Sequence, residues 1–396
     1  NAPAGTFLNL AFNGSYDVND DGRGTLTITS NRGSFDFFFV FGSDGTIEIT
    51  QAATDGVAAG EILRRSGDSF GTDSIDGNYV FALEDADTAI VGGLTFDGEG
   101  GVTGIFDENA AGAITTQAAL SGSDNVDTDG RGTLTLAAPG GLAHYVFYVV
   151  STDRIELVQV DNGAPLAGFA AAQQNDTFSN EDISGDYVFD LSGSGITAAG
   201  LFTATGGGGI DSGVIDRNDG GSVLQNRALT GVYSVTENGR ATFTLTTPDG
   251  RIGFVAYLID GDHALILEVD GVAVAAGEVF AQQGEPYTNG DFHGGYALFN
   301  GRFDATAAQA EAGAVRLDGD GGIAGSESVN DNGSLMPDVD LSGTYTFADN
   351  GRGTLTLTSG GGANRQFVAY VVSPQQILLI AADTRPAGVL SLAQQF

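Results

Sequence analysis

The stretch Glu237-Asn238-Gly239-Arg240-Ala241-Thr242-Phe243-Thr244-Leu245-Thr246-Thr247-Pro248-Asp249-Gly250 reads as one strand held between two tight turns. Asn238-Gly239 and Asp249-Gly250 supply the positive φ angles that short hairpin loops demand. Between them Phe243 and Leu245 alternate with threonines, the period of a half-buried strand. Turn and strand signals recur about every twelve residues on both sides of this stretch. They predict strands at Tyr187–Leu191, Ala199–Thr205, Ile210–Asp216, Ala228–Val235, Ala241–Thr246, Gly253–Ile259, Ala264–Val269 and Val272–Ala281. No segment has helical periodicity. Eight sequential antiparallel strands form a meander, whose simplest way to lose its edges is to close as an up-and-down barrel, with a β-sandwich as the alternative.

The motif inside the opening stretch repeats. Gly-Arg-Gly/Ala-Thr occurs at Gly22-Arg23-Gly24-Thr25, Gly130-Arg131-Gly132-Thr133, Gly239-Arg240-Ala241-Thr242 and Gly351-Arg352-Gly353-Thr354, at intervals of 108, 109 and 112 residues. A Gly-x-Tyr signature lies far upstream of the last three, at Tyr79, Tyr187 and Tyr296, and a second one lies just ahead of three of them, at Tyr16, Tyr233 and Tyr345. Repeats of this length imply an array of domains rather than a short-repeat solenoid. The expected units are 1–66, 76–174, 184–283 and 293–396, the first being the second half of a repeat and the others whole. Whole units end on Ala-Gln-Gln, at Gln173, Gln282 and Gln394, and linkers of about ten residues should hold them close.

The sixth strand of each unit is apolar on both faces. It reads Phe35-Asp36-Phe37-Phe38-Phe39-Val40-Phe41, Tyr145-Val146-Phe147-Tyr148-Val149-Val150, Phe254-Val255-Ala256-Tyr257-Leu258-Ile259 and Phe367-Val368-Ala369-Tyr370-Val371-Val372. A strand with one face in water should alternate. The outer face is therefore expected either to lie under the unit's own loops or to pack on another unit or chain, with Phe35, Phe37, Phe38, Phe39, Phe41, Tyr148, Tyr257 and Tyr370 as interface residues. The first unit starts near its fourth strand and supplies about five, leaving open edges and a phenylalanine-rich face. Completion from an upstream piece, or from a neighbouring copy by strand addition, is expected; the second route is directional and propagates head to tail.

Composition narrows the partners. The 396 residues carry a formal charge of −36, every basic residue is arginine, and there is no cysteine. Nucleic acid and anionic membrane surfaces are disfavoured as partners on Coulomb grounds, and disulfide or thiolate chemistry is excluded. Asp17, Asn19 and Asp21, and likewise Asn125, Asp127 and Asp129, match the front half of a calcium loop. The closing bidentate glutamate of such a loop is replaced by Ile28 and Leu136, so a hairpin turn with incidental acids competes with calcium. Asp97-Gly98-Glu99 and Asp318-Gly319-Asp320 place further carboxylates on turns. His144, His263 and His293 fall at unrelated places, no nucleophile motif is present, and neither a catalytic centre nor a cofactor is expected.

The Gly-x-Tyr opening followed by a meander resembles the plan of calycin-type barrels such as lipocalins and avidins, with tyrosine where lipocalins carry tryptophan. The tandem pattern also resembles uncharacterised repeat-bearing secreted bacterial β-proteins, a likeness that implies an extracellular setting but no activity. The expectation is an extracellular structural protein, a subunit of a surface filament, sheath or matrix that binds copies of itself. The alternative is a secreted adhesion or ligand-binding barrel array.

Overall fold

A computed structural model describes the chain except residues 1–8, 43–44, 55, 162–164, 194, 271–272, 303–308, 361–363, 385–387 and 396. The ends of the expected first and last units, 1–8 and 396, thus lie outside the described residues, as does the expected start of a strand at Val272. All sheets are antiparallel, and three closed eight-stranded barrels follow one open sheet.

The first unit is a five-stranded meander: β1 (Phe12–Val18), β2 (Arg23–Ser30), β3 (Gly33–Phe41), β4 (Ile47–Gln51) and β5 (Ala59–Ile62). The second runs β6 (Asp76–Glu84), β7 (Thr88–Asp97), β8 (Gly101–Ala110), β9 (Ala113–Val126), β10 (Arg131–Ala138), β11 (Gly141–Ser151), β12 (Arg154–Gln159) and β13 (Ala167–Ala172). Closure comes from pairing β13 with β6, Ala172 opposite Tyr79. The third unit, Ser184–Ala281, and the fourth, His293–Gln394, repeat this order. In the third, the strand corresponding to β9 is broken into Ser222–Ala228 and Thr230–Val235. Among the described residues, strands from different units do not interleave within one sheet.

Each barrel encloses its own apolar core. In the third it is built on Tyr187, Phe189, Phe202, Phe243 and Phe254. The Gly-x-Tyr tyrosine plugs one end of its barrel. Tyr187 Oη donates to the Gly261 carbonyl (2.7 Å), Tyr296 Oη to that of Pro374 (2.8 Å), and Tyr79 Oη to that of Thr152. Burial pushes the Tyr79, Tyr187 and Tyr296 hydroxyls up to about 12, so each remains a donor. A second tyrosine closes the same end from the strand before the Arg motif. Tyr233 Oη donates to the Ile183 carbonyl (2.5 Å) and Tyr345 Oη to that of Phe292 (2.8 Å). The first unit keeps the corresponding Tyr16, which is 75% exposed where Tyr233 is 5%.

The units are not strung out as beads. Besides the covalent links, three residues at unit ends act as pegs in the Arg-motif turn of the following unit. Arg65 Nη1 donates to the Asp129 carbonyl; Gln173 Nε2 to those of Asn238 (3.3 Å) and Leu258 (2.8 Å); and Gln282 Nε2 to those of Asn350 (3.1 Å) and Val371 (2.7 Å). Gln395 then reaches back to the first unit, its Nε2 donating to Asp21 (3.3 Å) and Phe41 (3.1 Å) carbonyls. The four units therefore close in a cycle. The leading glycine of each motif permits this contact. Gly22, Gly130, Gly239 and Gly351 lie at φ 80–83°, and a Cβ on Gly239 would meet Gln173 at 2.6 Å.

Candidate functional site: the faces between units

The site with the most chemistry lies between units, and its centre is the arginine of the repeated motif. On β8 the sequence Asp107-Glu108-Asn109 turns Asp107 and Asn109 outward, since residues two apart share a face. Asp107 is fully buried against the third unit. Arg240 Nε and Nη2 donate to its two carboxylate oxygens at 2.8 and 2.7 Å, and Tyr257 Oη donates to Oδ2 at 2.7 Å. The backbone N–H of Gln117, held at φ +50°, adds a fourth donor at 3.2 Å. Asn109 Nδ2 donates to the Glu268 (3.1 Å) and Ala273 (2.5 Å) carbonyls while its Oδ1 accepts from Gly112 N–H. Val80, Val91, Val255, Leu265 and Leu267 pack around these polar contacts.

The same arrangement joins the third unit to the fourth. Asp216 accepts from Arg352 Nε and Nη2, both at 2.8 Å, and from Tyr370 Oη. Asn218 Nδ2 donates to the Ala381 (3.3 Å) and Asp383 (3.1 Å) carbonyls. The carboxylates raise the Arg240 and Arg352 guanidinium pKa through hydrogen bonding, and burial raises the Tyr257 and Tyr370 hydroxyls, so all four donors keep their protons.

The contact from the fourth unit to the first is a modified copy. Asn330 is kept, its Nδ2 donating to the Gln51 (2.7 Å), Ala53 (3.1 Å) and Gly56 (3.0 Å) carbonyls. Ser328 stands in the aspartate position and Val40 in the tyrosine position. Arg23 turns instead to Asp21 (2.8 Å) and to Asp338 of the fourth unit (2.8 Å). Val40 is buried against Ala297, Ala312 and Ala314.

On the second unit the equivalent face is covered only in part: Arg154 on β12 binds Glu61 of the first unit (2.6 Å). Tyr148, the counterpart of Tyr257, is 52% exposed, and Val158, the counterpart of Leu267, is 38% exposed. Arg131 Nε is buried and makes no hydrogen bond.

The expected interface residues divide accordingly. Tyr257 and Tyr370 lie between units, and Tyr148 lies on the open face. Phe38 is half-buried on the outer side of β3, whereas Phe35, Phe37, Phe39 and Phe41 occupy the positions that in the third unit point into the barrel. The recurrent residues not singled out from sequence are Asp107, Asp216, Asn109, Asn218 and Asn330. Their spacing of 109 and 112 residues matches that of the arginines and is the signal that identifies them.

The calcium-type residues sit on the turn before the motif arginine. Asp21 and Asp129 each accept the N–H two residues on, from Arg23 and Arg131 (both 3.1 Å), as Asn350 does from Arg352. Asp127 supplies its carbonyl to Gly130 N–H, Asn19 does the same for Gly22, Asp17 lies on β1, and Asn125 pairs with Thr133. Asp97 and Asp318 likewise accept two backbone N–H groups each, which holds both carboxyls below the ordinary range. Among the described residues no group of three or more His, Asp or Glu is placed to hold a metal ion. An amide oxygen serves an Asx turn as well as a carboxylate does. Asp129→Asn should therefore leave the melting temperature unchanged with or without calcium, while Asp129→Ala should cost about 1 kcal/mol. A calcium-dependent loss in the Asn variant would assign the loop to calcium.

The histidines are dispersed: His144 meets Asp161 (2.8 Å), His263 meets Glu278 (2.7 Å), and His293 meets the Gly290 carbonyl (3.2 Å). A cavity of about 670 Å³ lies where all four units converge. Carboxylates from three units line it, among them Glu48, Glu61, Glu84, Glu156, Asp190 and Glu278. Arg154 joins two of these units, binding Glu156 (2.7 Å) and Glu61 (2.6 Å) beneath the Phe169 ring. Burial raises the Glu156 carboxyl despite that cation.

No family model matches the chain, and no curated protein matches it. A solved structure, the WD40 domain of SCAP from fission yeast, aligns over 98% of this chain and 95% of that one at 8% identity with a TM-score of 0.13, a likeness that bears on neither fold nor function.

Proposed function

We propose that the chain is a non-catalytic, extracellular structural protein that works as a strand acceptor. Three barrels and their buried Arg–Asp contacts form the frame, and the open first unit is where a surface assembly grows. The observation that carries this reading is the first sheet itself. Among the described residues β1 and β5 are the edges of this sheet, and Phe12, Tyr16, Val18 and Phe35 are exposed on β1 and β3. Such an edge is a template for added strands, and covering it buries both the backbone groups and the aromatic face. A net charge of −36 opposes contact between like chains at long range, so assembly should strengthen with salt or divalent cations.

The test is amide exchange and light scattering on the full chain at rising salt. Expected is rapid exchange across 12–62 in the isolated chain, slowing together with a rise in mass as assemblies form. A monomer whose first unit is as protected as the other three would overturn the reading.

The central acidic cavity favours a second reading, a binding protein for a cationic ligand held between units. Saturable binding of such a ligand, lost on Glu156→Gln and Glu278→Gln, would favour it over the first.

A further inference from the structure

The second barrel lacks the tyrosine that closes the mouth of the other two. Asp124 stands in its place, facing Leu134 across β9 and β10 as Tyr233 faces Phe243 and Tyr345 faces Leu355. The short turn over the mouth is common to all three: Thr72–Ser74, Asn180–Asp182 and Asn289–Asp291. It is anchored alike, Thr72 Oγ1 accepting from Val126 N–H (3.3 Å) as Asn180 Oδ1 accepts from Val235 (2.8 Å) and Asn289 Oδ1 from Phe347 (3.0 Å). The tyrosine hydroxyls bind this turn, Tyr233 Oη reaching the Asn180 and Ile183 carbonyls and Tyr345 Oη those of Asn289 and Phe292. The matching carbonyls of the second unit belong to Thr72 and to Ile75, which is fully buried. Asp124 has no hydroxyl to offer them.

An acceptor thus stands where the other barrels carry a donor. Asp124 is 9% exposed, and its Oδ2 is buried without a hydrogen bond. Burial first, and then the charge of Asp97, push its carboxyl up to about 6, so near neutral pH it remains mostly an anion beside a second anion. The oxygens lie close together. The Asp124 N–H donates to the Gly100 carbonyl (3.1 Å), and a Cβ on Gly100 would lie 3.1 Å from the Asp124 carbonyl and 3.9 Å from Thr72 Cγ2. Phe96, where the other closed barrels carry Ala204 and Leu317, fills space with a ring that bears no hydroxyl.

We propose that the mouth of the second barrel is a calcium site, with Asp124 as its charged ligand and the Thr72 and Ile75 carbonyls as neutral ones. Every candidate donor atom named there is oxygen, which selects a hard cation. Calcium accepts the irregular mixture of carboxylate, carbonyl and water that such a mouth offers, whereas magnesium demands a near-ideal octahedron. Asp97, exposed on the rim, adds charge that draws the ion in. Carbonyls supply what a cluster of three acids would supply elsewhere. The ion does for this barrel what a tyrosine hydroxyl does for the others, tying the entry turn to β9. Asp129, on the next turn, is not part of the site, because its carboxylate is spent on the Arg131 N–H.

The test is isothermal titration of the chelator-treated full chain with calcium in about 0.15 M salt, which screens diffuse binding to the acidic surface. Expected is one saturable site per chain, weakened at least about tenfold by Asp124→Asn, which removes the charge and keeps the shape. Amide exchange over 72–76 and 122–126 should slow with calcium in the wild type and in Asp129→Asn, but not in Asp124→Asn. Copying the third barrel with Asp124→Tyr and Phe96→Ala should abolish binding and slow the same exchange without calcium. If Asp124→Asn fails to fold, the wild-type exchange map decides, since only a site at the mouth protects those two segments together. No saturable binding, or binding that is unchanged in Asp124→Asn and leaves exchange over 72–76 as it was, means an adventitious ion only and overturns the proposal.

Discussion

Arg240→Ala is expected to separate the second unit from the third and to lower stability by about 3–5 kcal/mol, because it strands a carboxylate inside the protein. Asp107 has no exposed surface and draws three of its four donor contacts from the neighbouring unit, two of them from Arg240. Without the guanidinium, Tyr257 Oη and the Gln117 N–H cannot balance a full charge at a site lined by valine and leucine. The effect should appear as a new first transition in urea denaturation, with amide exchange rising along β7, β8 and Gly250–Leu258 before it rises elsewhere. Arg23→Ala provides the internal control. Arg23 is buried, but its partners Asp21 and Asp338 are 39% and 71% exposed, so its loss leaves no carboxylate cut off from water and should cost less than that of Arg240. The double change Asp107→Leu with Arg240→Met should recover most of the loss, since apolar pairs replace buried ion pairs at little cost. Equal losses for Arg240→Ala and Arg23→Ala would mean the buried pair has no special role in joining the units.

Much of this architecture can be read along the chain because its determinants are local. Asn-Gly and Asp-Gly turns fix hairpins, alternation fixes which face is buried, and the Tyr79, Tyr187 and Tyr296 strands open each barrel where the sequence places them. The doubly apolar sixth strand announces a second buried surface, and Tyr257 and Tyr370 lie on it. Other features escape for physical reasons. Ser222–Ala228 is a strand of mostly polar, exposed residues that extends a hairpin beyond the core, so periodicity gives it no signal. The motif arginine looks like part of a turn, whereas its partner lies 133 or 136 residues away in another unit. The last Ala-Gln-Gln is out of register by one, since Gln394 pairs with Tyr296 where Ala172 pairs with Tyr79, and the peg is Gln395. Closure of the cycle depends on the angle between successive barrels, a property of whole faces rather than of any one stretch.

The second large effect is expected inside the fourth barrel, on Arg365→Met. Arg365 Nη1 donates to Glu311 and its Nη2 to Glu327 (2.5 Å), with Ser359 Oγ also on Glu327 (2.9 Å). All three charged residues are buried. The equivalent places in the second unit hold Ile90, Phe106 and Ala143, so this network is a peculiarity of one barrel. Two buried carboxylates share the one guanidinium of Arg365. Burial first, and then the neighbouring Glu311, push the Glu327 carboxyl above the ordinary range. A raised folded-state pKa means that the folded protein binds the extra proton. Stability is fully present below the unfolded carboxyl value and falls as pH rises through the folded one. Removing Arg365 takes away the cation that binds both carboxylates. The variant should lose about 3–5 kcal/mol near neutral pH and recover much of it near about pH 5. Copying the second unit with Glu311→Ile, Glu327→Phe and Arg365→Ala should restore stability and flatten this part of the pH dependence, because no charge then remains to be buried. Thermal unfolding followed at about pH 5 and about pH 9, with amide exchange reporting on 309–331 and 364–373, checks both claims. If the wild type and the triple variant lose stability alike across that range, the pH dependence originates elsewhere, and the fourth barrel tolerates its buried acids by some means other than a shared proton.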